Sequence, residues 1–129
     1  MMLIPAASRQ TMLAALVGQA PIPALTLHLY TNNKTPLDSD TAADFEEAAP
    51  GYGYAQIALS PNVWEITPDM AVYPELVIGF LGALGNVYGY YVTHAGRGTL
   101  LWAERFSDGP YNIANNGDQI KLAPRLALS

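Results

Sequence analysis

A short run of acidic residues carries the side chains of this sequence that are best suited to hold a metal ion. It consists of Asp38, Asp40, Asp44, Glu46 and Glu47. An EF-hand loop needs oxygen ligands at positions 1, 3 and 5, a glycine at 6 and a glutamate at 12. Counted from Asp38, positions 5 and 6 are alanines, so the spacing fails. We interpret residues 38–47 as a solvated acidic loop, with calcium binding of another type left open, and predict no metal site and no cofactor.

Two histidines, His28 and His94, are the other candidates for catalysis or metal binding. A structural zinc site takes four nitrogen or sulfur ligands, and this chain has no cysteine. A catalytic triad needs a nucleophile placed beside a histidine. Ser60, Thr93 and Ser107 do not lie in the strand–turn–helix context that presents a nucleophile. We therefore predict that both histidines are surface residues of amphipathic strands, with no catalytic residues and no enzyme activity.

Two weaker patterns point to no specific chemistry. Glu65, Glu75 and Glu104 could supply the carboxylate pair of a glycosidase, but such a pair needs a cleft that a sequence does not display. The spaced glycines within residues 79–85 lack the Lys-Ser/Thr of a P-loop, so we interpret them as turn and tight-packing positions.

Charged residues are scarce: they make up 13% of the 129 residues, where about 25% is usual. Subunits that cover part of the surface would explain the shortage, so we expect part of the surface to be buried in an assembly. The alternative is that Ala, Gly and Pro raise the apolar fraction without forming adhesive patches. The net charge of −5 argues against nucleic-acid partners. No apolar run approaches the ~20 residues of a membrane span, so we expect no membrane partner.

The first predicted element is an amphipathic helix. Leu13, Leu16 and Val17 recur with a methionine at helical spacing, and Gly18 is a natural stop. Residues 9–20 also imitate a signal peptide, but we interpret them as this helix. Such a helix can pack on its own sheet or act as an arm that reaches a neighbour. We define residues 1–23 as an N-terminal helical arm.

The remaining residues, 24–129, predict one antiparallel β-sandwich domain of the jelly-roll type. Apolar and polar residues alternate in 24–31, as expected for a half-buried strand. Asn116-Gly117 favours a tight turn that pairs 111–114 with 118–122. Closely spaced strands without βαβ alternation support the sandwich. The predicted strands are 24–31, 53–59, 63–67, 75–81, 87–94, 98–106, 111–114, 118–122 and 125–128.

Aromatic residues indicate where a partner would bind. In the strand at 87–94 both faces carry aromatic or apolar side chains, whereas a sheet with one wet face alternates apolar with polar. Either the helix and loops cover the second face, or a partner does. Tyr and Trp are enriched at interface centres. The interface candidates are Leu13, Leu16, Val17, Tyr30, Trp64, Tyr73, Tyr88, Tyr90 and Trp102.

A series of short motifs extends over nearly the whole chain. In order, they are Leu27-Tyr30-Asn32, Thr35-Pro36, Asp44-Phe45 with Glu47-Ala48, Gly53-Tyr54-Ala55, Gly89-Tyr90-Tyr91-Val92, Leu101 with Ala103-Glu104-Arg105-Phe106, Gly117-Asp118 with Ile120, and a Leu-rich end at Ser129. Together they resemble small proteins encoded among the structural genes of tailed bacteriophages.

The resemblance implies a virion component, made in the bacterial host cytoplasm and located on the capsid surface. It implies a capsid cement or decoration protein with a jelly-roll-like body, bound as a trimer or dimer over joints between major capsid protein subunits, without catalytic residues. Two alternatives stay open. One is a tail or baseplate adhesin that binds host surface glycans through exposed Trp64, Trp102 or Tyr73. The other is a non-viral small-ligand β-barrel with a closed apolar cavity.

Overall fold

The structure, a computed structural model, describes residues 2–127 and is mostly β, with antiparallel sheets and one N-terminal helix, as predicted. The helix α1 spans Ala6–Leu16. Leu128, the end of the last predicted strand, lies outside the described residues. The strands are β1 Met2–Leu3, β2 Leu25–Tyr30, β3 Ile57–Leu59, β4 Glu65–Ile66, β5 Met70–Val72, β6 Leu76–Gly79, β7 Gly85–Val87, β8 Gly89–His94, β9 Leu100–Arg105, β10 Tyr111–Ile113, β11 Gln119–Leu122 and β12 Arg125–Ala127.

Five strands form the main sheet, in the order β1-β9-β8-β2-β3, and every neighbouring pair in it is antiparallel. The other strands form three small sheets, β10-β7, β11-β6 and β12-β5-β4. The arrangement is compatible with a sandwich and does not close into a barrel.

The alternation in β2 gives the main sheet two different faces. Leu27 and Leu29 point into the inner core, which contains most of the buried apolar residues of the chain. His28 and Tyr30 point to the other side, where Tyr30 joins a smaller group that we call the outer cluster. The outer cluster consists of Tyr30, Phe45, Tyr91, Leu100 and Ala103.

Residues 31–48, here called the covering segment, lie over the outer cluster. The segment places Phe45 against the rings of Tyr30 and Tyr91, with centroids 4.9 and 5.0 Å apart. Its end pairs with the edge of β2 through the bridge between Tyr30 and Glu47. The segment contains a capping box, in which the Asp44 carboxylate accepts the backbone N–H of Thr41 at 2.8 Å. The chain itself therefore covers the second aromatic face of the main sheet.

Two irregularities correct the predicted strands 87–94 and 98–106. The predicted strand 87–94 is interrupted at Tyr88 and is divided between β7 and β8. As a result, Val87 lies in the inner core while Tyr88 packs against the outer cluster. In the second, Thr93 pairs with Leu100 but Val92 pairs with Trp102, which leaves Leu101 as the extra residue of a bulge. Strict alternation therefore fails, and two consecutive residues of β9 face the inner core.

The hairpin predicted around Asn116-Gly117 is wrong in its strand pairing. The turn is present, with Gly117 at a φ of +96°. However, β10 pairs with β7 and β11 pairs with β6. The Asp118 carboxylate accepts the N–H groups of Ala114 and Asn115, and the Gly117 N–H binds the Phe80 carbonyl. The Asp118 bonds lie within the turn, and the Gly117 bond ties the turn to the end of β6 while the flanking strands pair with β7 and β6.

The helix α1 belongs to the folded body. Its neighbour β1 pairs with β9, and the Ala6 N–H donates to the Asp38 carbonyl at 3.2 Å. The predicted stop is confirmed, since the chain leaves the helix through Gly18 with a φ of +79°. Of the two arrangements that the sequence left open, the helix adopts the one packed on its own sheet.

Candidate functional site

The acidic residues at 38–47 are held by individual partners. The Asp38 carboxylate lies 2.6 Å from the Arg9 guanidinium, whose hydrogen bond lowers the pKa of Asp38. Asp40 lies 2.9 Å from the Lys34 ammonium and is buried, which corrects the prediction that the whole loop is solvated. Within residues 2–127, no group of three or more His, Asp or Glu side chains is placed to hold a metal ion.

The two histidines lie in different environments. His94 ends β8, where its Nδ1 accepts the backbone N–H groups of Gly96 and Arg97 at 3.1 and 3.2 Å. His28 is buried on the outer face of β2, so the prediction of a surface position is wrong for this residue. Burial is possible because both of its ring nitrogens have partners.

His28 is the centre of a polar network that is buried at His28 and Thr93 and reaches the surface at Glu47. Its Nδ1 lies 2.8 Å from Glu47 Oε2, and its Nε2 lies 2.8 Å from Thr93 Oγ1. The Tyr54 hydroxyl donates to the same Glu47 oxygen at 2.7 Å. Burial, reinforced by this carboxylate, raises the pKa of Tyr54 strongly. The Tyr91 ring stacks on the imidazole with centroids 4.6 Å apart.

Carboxylate, imidazole and hydroxyl follow one another here in the order of a catalytic triad. A nucleophile must nevertheless reach a substrate, and the Thr93 side chain is covered: the residue is 6% exposed. Neither of the two cavities described below is lined by His28 or Thr93. We interpret the network as a polar link that attaches the covering segment to the main sheet while its buried polar atoms keep their hydrogen bonds.

Of the glutamates considered for glycoside hydrolysis, Glu104 alone lines one of the two cavities described below. Glu65 lies exposed in β4, and Glu75 lies exposed before β6. Glu104 lies in β9 with its carboxylate 2.7 Å from the Arg125 guanidinium.

Four of the predicted interface residues are buried within the chain: Tyr30, Tyr73, Tyr90 and Trp102. Trp64 and Tyr88 are half-buried. The Trp64 ring meets the rings of Tyr73 and Trp102 edge-on, with centroids 5.0 and 6.2 Å apart. These rings pack against each other, which corrects the interpretation that they form surplus surface for a partner or a glycan.

The other three interface candidates lie on the outer side of α1. Leu13, Leu16 and Val17 are 63%, 84% and 67% exposed, and Ile22, just beyond the helix, is 86% exposed. We call these four residues the helix surface. Residues 10–33 contain no Asp, Glu, Lys or Arg, so the surface is uncharged as well as apolar. Contiguous apolar surface of this kind marks interaction sites in soluble proteins.

The inner side of α1 is made of smaller side chains. Ser8 is buried there, and Ala15 lies close to β9. Between the helix and the sheet remains an apolar groove of about 440 Å³, bordered also by Leu16 and Ile22 of the helix surface. The helix surface and the groove are thus continuous. The groove is lined by Ser8, Thr11, Met12, Ala15, Leu16, Ile22, Pro23, Leu101, Trp102 and Leu126.

Covering the helix surface would be strongly favourable. Its four side chains are on average about three-quarters exposed, and full burial of such a side chain contributes roughly 1.5–3 kcal/mol. Sequence reasoning missed Ile22, although its position between Pro21 and Pro23 signals an extended, exposed segment.

The helix α1 is too short to cross a membrane, and no other described helix is long and apolar enough to do so. Comparison with protein-family models and with curated protein sequences finds no match to this chain.

Proposed function

We propose that this protein is a structural component of a tailed-bacteriophage virion, a capsid cement or decoration protein that stabilises the head by binding across major capsid protein subunits. The motifs from Leu27 to Ser129 suggest the class of protein. The observation that carries the proposal is the helix surface, four large apolar side chains left open to solvent.

The helix surface is held in place before any partner arrives. The strand β1, which precedes the helix, is paired with β9, and the Arg9 guanidinium lies 2.6 Å from the Asp38 carboxylate. A rigid surface loses little conformational entropy on binding, which favours repeated attachment to identical sites on a shell.

The contact works through area rather than charge. The chain carries a net charge of −5, yet the helix surface and its flanks at 10–33 are uncharged. Burial of apolar area is insensitive to moderate salt, whereas contacts between exposed charges are screened. We therefore expect binding to persist as the sodium chloride concentration is raised, with the shell-bound fraction measured by sedimentation.

The test of the proposed class is the copy number of this protein in purified particles, measured by quantitative mass spectrometry. A copy number comparable with that of the major capsid protein is expected. Only a few copies per particle would assign it to the tail instead, and absence from particles would refute the virion proposal. The mass of the purified protein in solution separately tests the proposed trimer or dimer.

A further inference from the structure

We propose that a second, polar cavity of this protein binds a single neutral saccharide unit, a ring with adjacent hydroxyl groups. The cavity lies where the end of β9, the loop before β10 and the connection from β11 to β12 meet, and it measures about 210 Å³. Its lining includes Glu104, Phe106, Asp108, Tyr111, Lys121 and Arg125. The cavity is separate from the helix surface, so this proposal is independent of the capsid contact.

The Glu104 carboxylate is fixed by two donors. Its Oε1 accepts the Tyr90 hydroxyl at 2.9 Å, and its Oε2 accepts the Arg125 guanidinium at 2.7 Å. The Tyr90 hydroxyl in turn accepts the backbone N–H of Arg125 at 3.2 Å. A guanidinium has five N–H donors, so Arg125 keeps donors for a ligand while its position is held by Glu104.

A second carboxylate and two aromatic rings lie on the same cavity. Asp108 Oδ1 accepts the Tyr111 hydroxyl at 2.5 Å, and this hydrogen bond raises the pKa of Tyr111 to about 12. The bond uses one carboxylate oxygen and leaves Oδ2 with acceptor capacity. The rings of Phe106 and Tyr111 lie with their centroids 4.7 Å apart and form an apolar patch beside these polar groups.

This combination matches the chemistry of a sugar ring. Each hydroxyl group both donates and accepts hydrogen bonds, so neighbouring hydroxyls can donate to Asp108 and accept from Lys121 or Arg125. The C–H face of the ring is apolar and packs on aromatic side chains. A few fixed polar groups beside such a patch provide orientation and specificity.

Charge and size narrow the class of ligand. The carboxylates of Glu104 and Asp108 offset the charges of Lys121 and Arg125, so the cavity has no excess of positive charge for an acidic sugar. Arg105 borders the cavity too, but its guanidinium lies over the Tyr88 ring, 5.2 Å from the centroid. The volume is below the ~300–1,000 Å³ of sites for larger ligands, which suits one sugar unit.

The experiment is a titration of the full chain, followed by backbone amide chemical shifts. The neutral probes are glucose, galactose, mannose and N-acetylglucosamine; the charged probes are glucuronic acid, N-acetylneuraminic acid and inorganic phosphate. We expect at least one neutral sugar to shift the amides of Asp108, Tyr111 and Lys121, with a dissociation constant on the order of millimolar.

Two substitutions and a control locate the binding. Asp108→Asn and the exposed Lys121→Gln should each weaken binding about tenfold, which corresponds to one lost charge-assisted hydrogen bond. Asp69→Asn, in the exposed turn before β5, should bind like the wild type. Lys121→Gln removes no internal ion pair seen in residues 2–127, so it separates lost binding from lost folding. Shifts caused only by the charged probes, shifts at other residues, or no shifts with any probe would each overturn the proposal.

Discussion

Two apolar surfaces of this protein differ in whether the chain itself covers them. The outer face of the main sheet carries the rings of Tyr30 and Tyr91, and residues 31–48 cover it with Phe45. The outer face of α1 carries Leu13, Leu16 and Val17, and the described chain leaves it in solvent. The first surface is buried by residues of the same chain. The second is available to a partner.

The difference shows which apolar segment is a candidate for partner binding. Aromatic strands suggest an interface when only their sequence is seen, but here a polar loop with one phenylalanine suffices to bury them. The helix is the reverse case, because the small residues Ser8 and Ala15 approach the sheet while Leu13 and Leu16 remain exposed. Exposure after folding, rather than hydrophobicity of the segment, distinguishes the candidate interface.

The largest expected effect is the removal of the ring that covers the main sheet. Phe45→Ala should lower the free energy of unfolding by about 3–5 kcal/mol, because it leaves a cavity against Tyr30 and Tyr91. Leu16→Ala also truncates a large apolar side chain, but at a site 84% exposed, and should change stability by less than about 0.5 kcal/mol. Urea denaturation of both variants checks this. Equal losses would contradict the contrast between the surfaces.

A smaller effect is expected from the polar link under the covering segment. Thr93→Val keeps the shape but removes the hydroxyl 2.8 Å from His28 Nε2, at a cost of about 1–3 kcal/mol for an unsatisfied buried group. Thr26→Val is the matched control. Thr26 pairs with Thr93 in the sheet, but it does not bond to His28, because Glu47 and Thr93 already occupy both imidazole nitrogens. Thermal unfolding of the two variants compares them. A cost no larger for Thr93→Val than for Thr26→Val would show that the network contributes nothing.

The buried rings should also make the protein sensitive to alkali. Burial raises the pKa of Tyr91 from 10.0 to about 12. The unfolded chain therefore loses this proton first, so the contribution of Tyr91 to stability is complete below pH 10 and is lost as the pH rises through about 12. Between pH 10 and about 12, the free energy of unfolding should therefore fall by about 1.4 kcal/mol per pH unit because of Tyr91.

Denaturation curves between about pH 9 and 12 measure this loss. Tyr91→Phe is the control and should show a shallower decline. Its stability should otherwise remain close to that of the wild type at neutral pH, because the ring that stacks on Phe45 is kept. An identical decline in both proteins would show that Tyr91 is not protected from ionisation.

Local patterns predicted the local structure of this protein. The facing of alternate side chains in β2 and the stop at Gly18 depend on residues close in sequence, and both are confirmed, although β2 is buried on both faces rather than half-buried. The same reasoning failed at Tyr88 and Leu101, where a break and a bulge change which side chains face the inner core. An alternation pattern assumes a regular strand and does not reveal where the ladder is interrupted.

The candidate sites depend on contacts between distant positions. Glu47 and Thr93 lie 19 and 65 residues from His28, and Glu104 lies 21 residues from Arg125. No spacing rule joins such residues, because strand pairing and the packing of separate sheets bring them together. The helix surface was recognised by residue type at Leu13, Leu16 and Val17, but only the packing of Ser8 and Ala15 against the sheet determines which side remains exposed.

The most direct test compares the binding of two variants to capsid shells that lack this protein. Leu13→Gln, Leu16→Gln and Val17→Gln combined alter the helix surface, whereas Ile66→Gln with Val77→Gln alters exposed apolar residues elsewhere. Near-ultraviolet circular dichroism establishes that both fold. The helix variant should bind shells at least about 100-fold more weakly than the wild type, since three buried apolar side chains are lost. The control should bind unchanged. A helix variant that decorates the shells as tightly as the wild type would contradict the proposal that α1 is the contact surface.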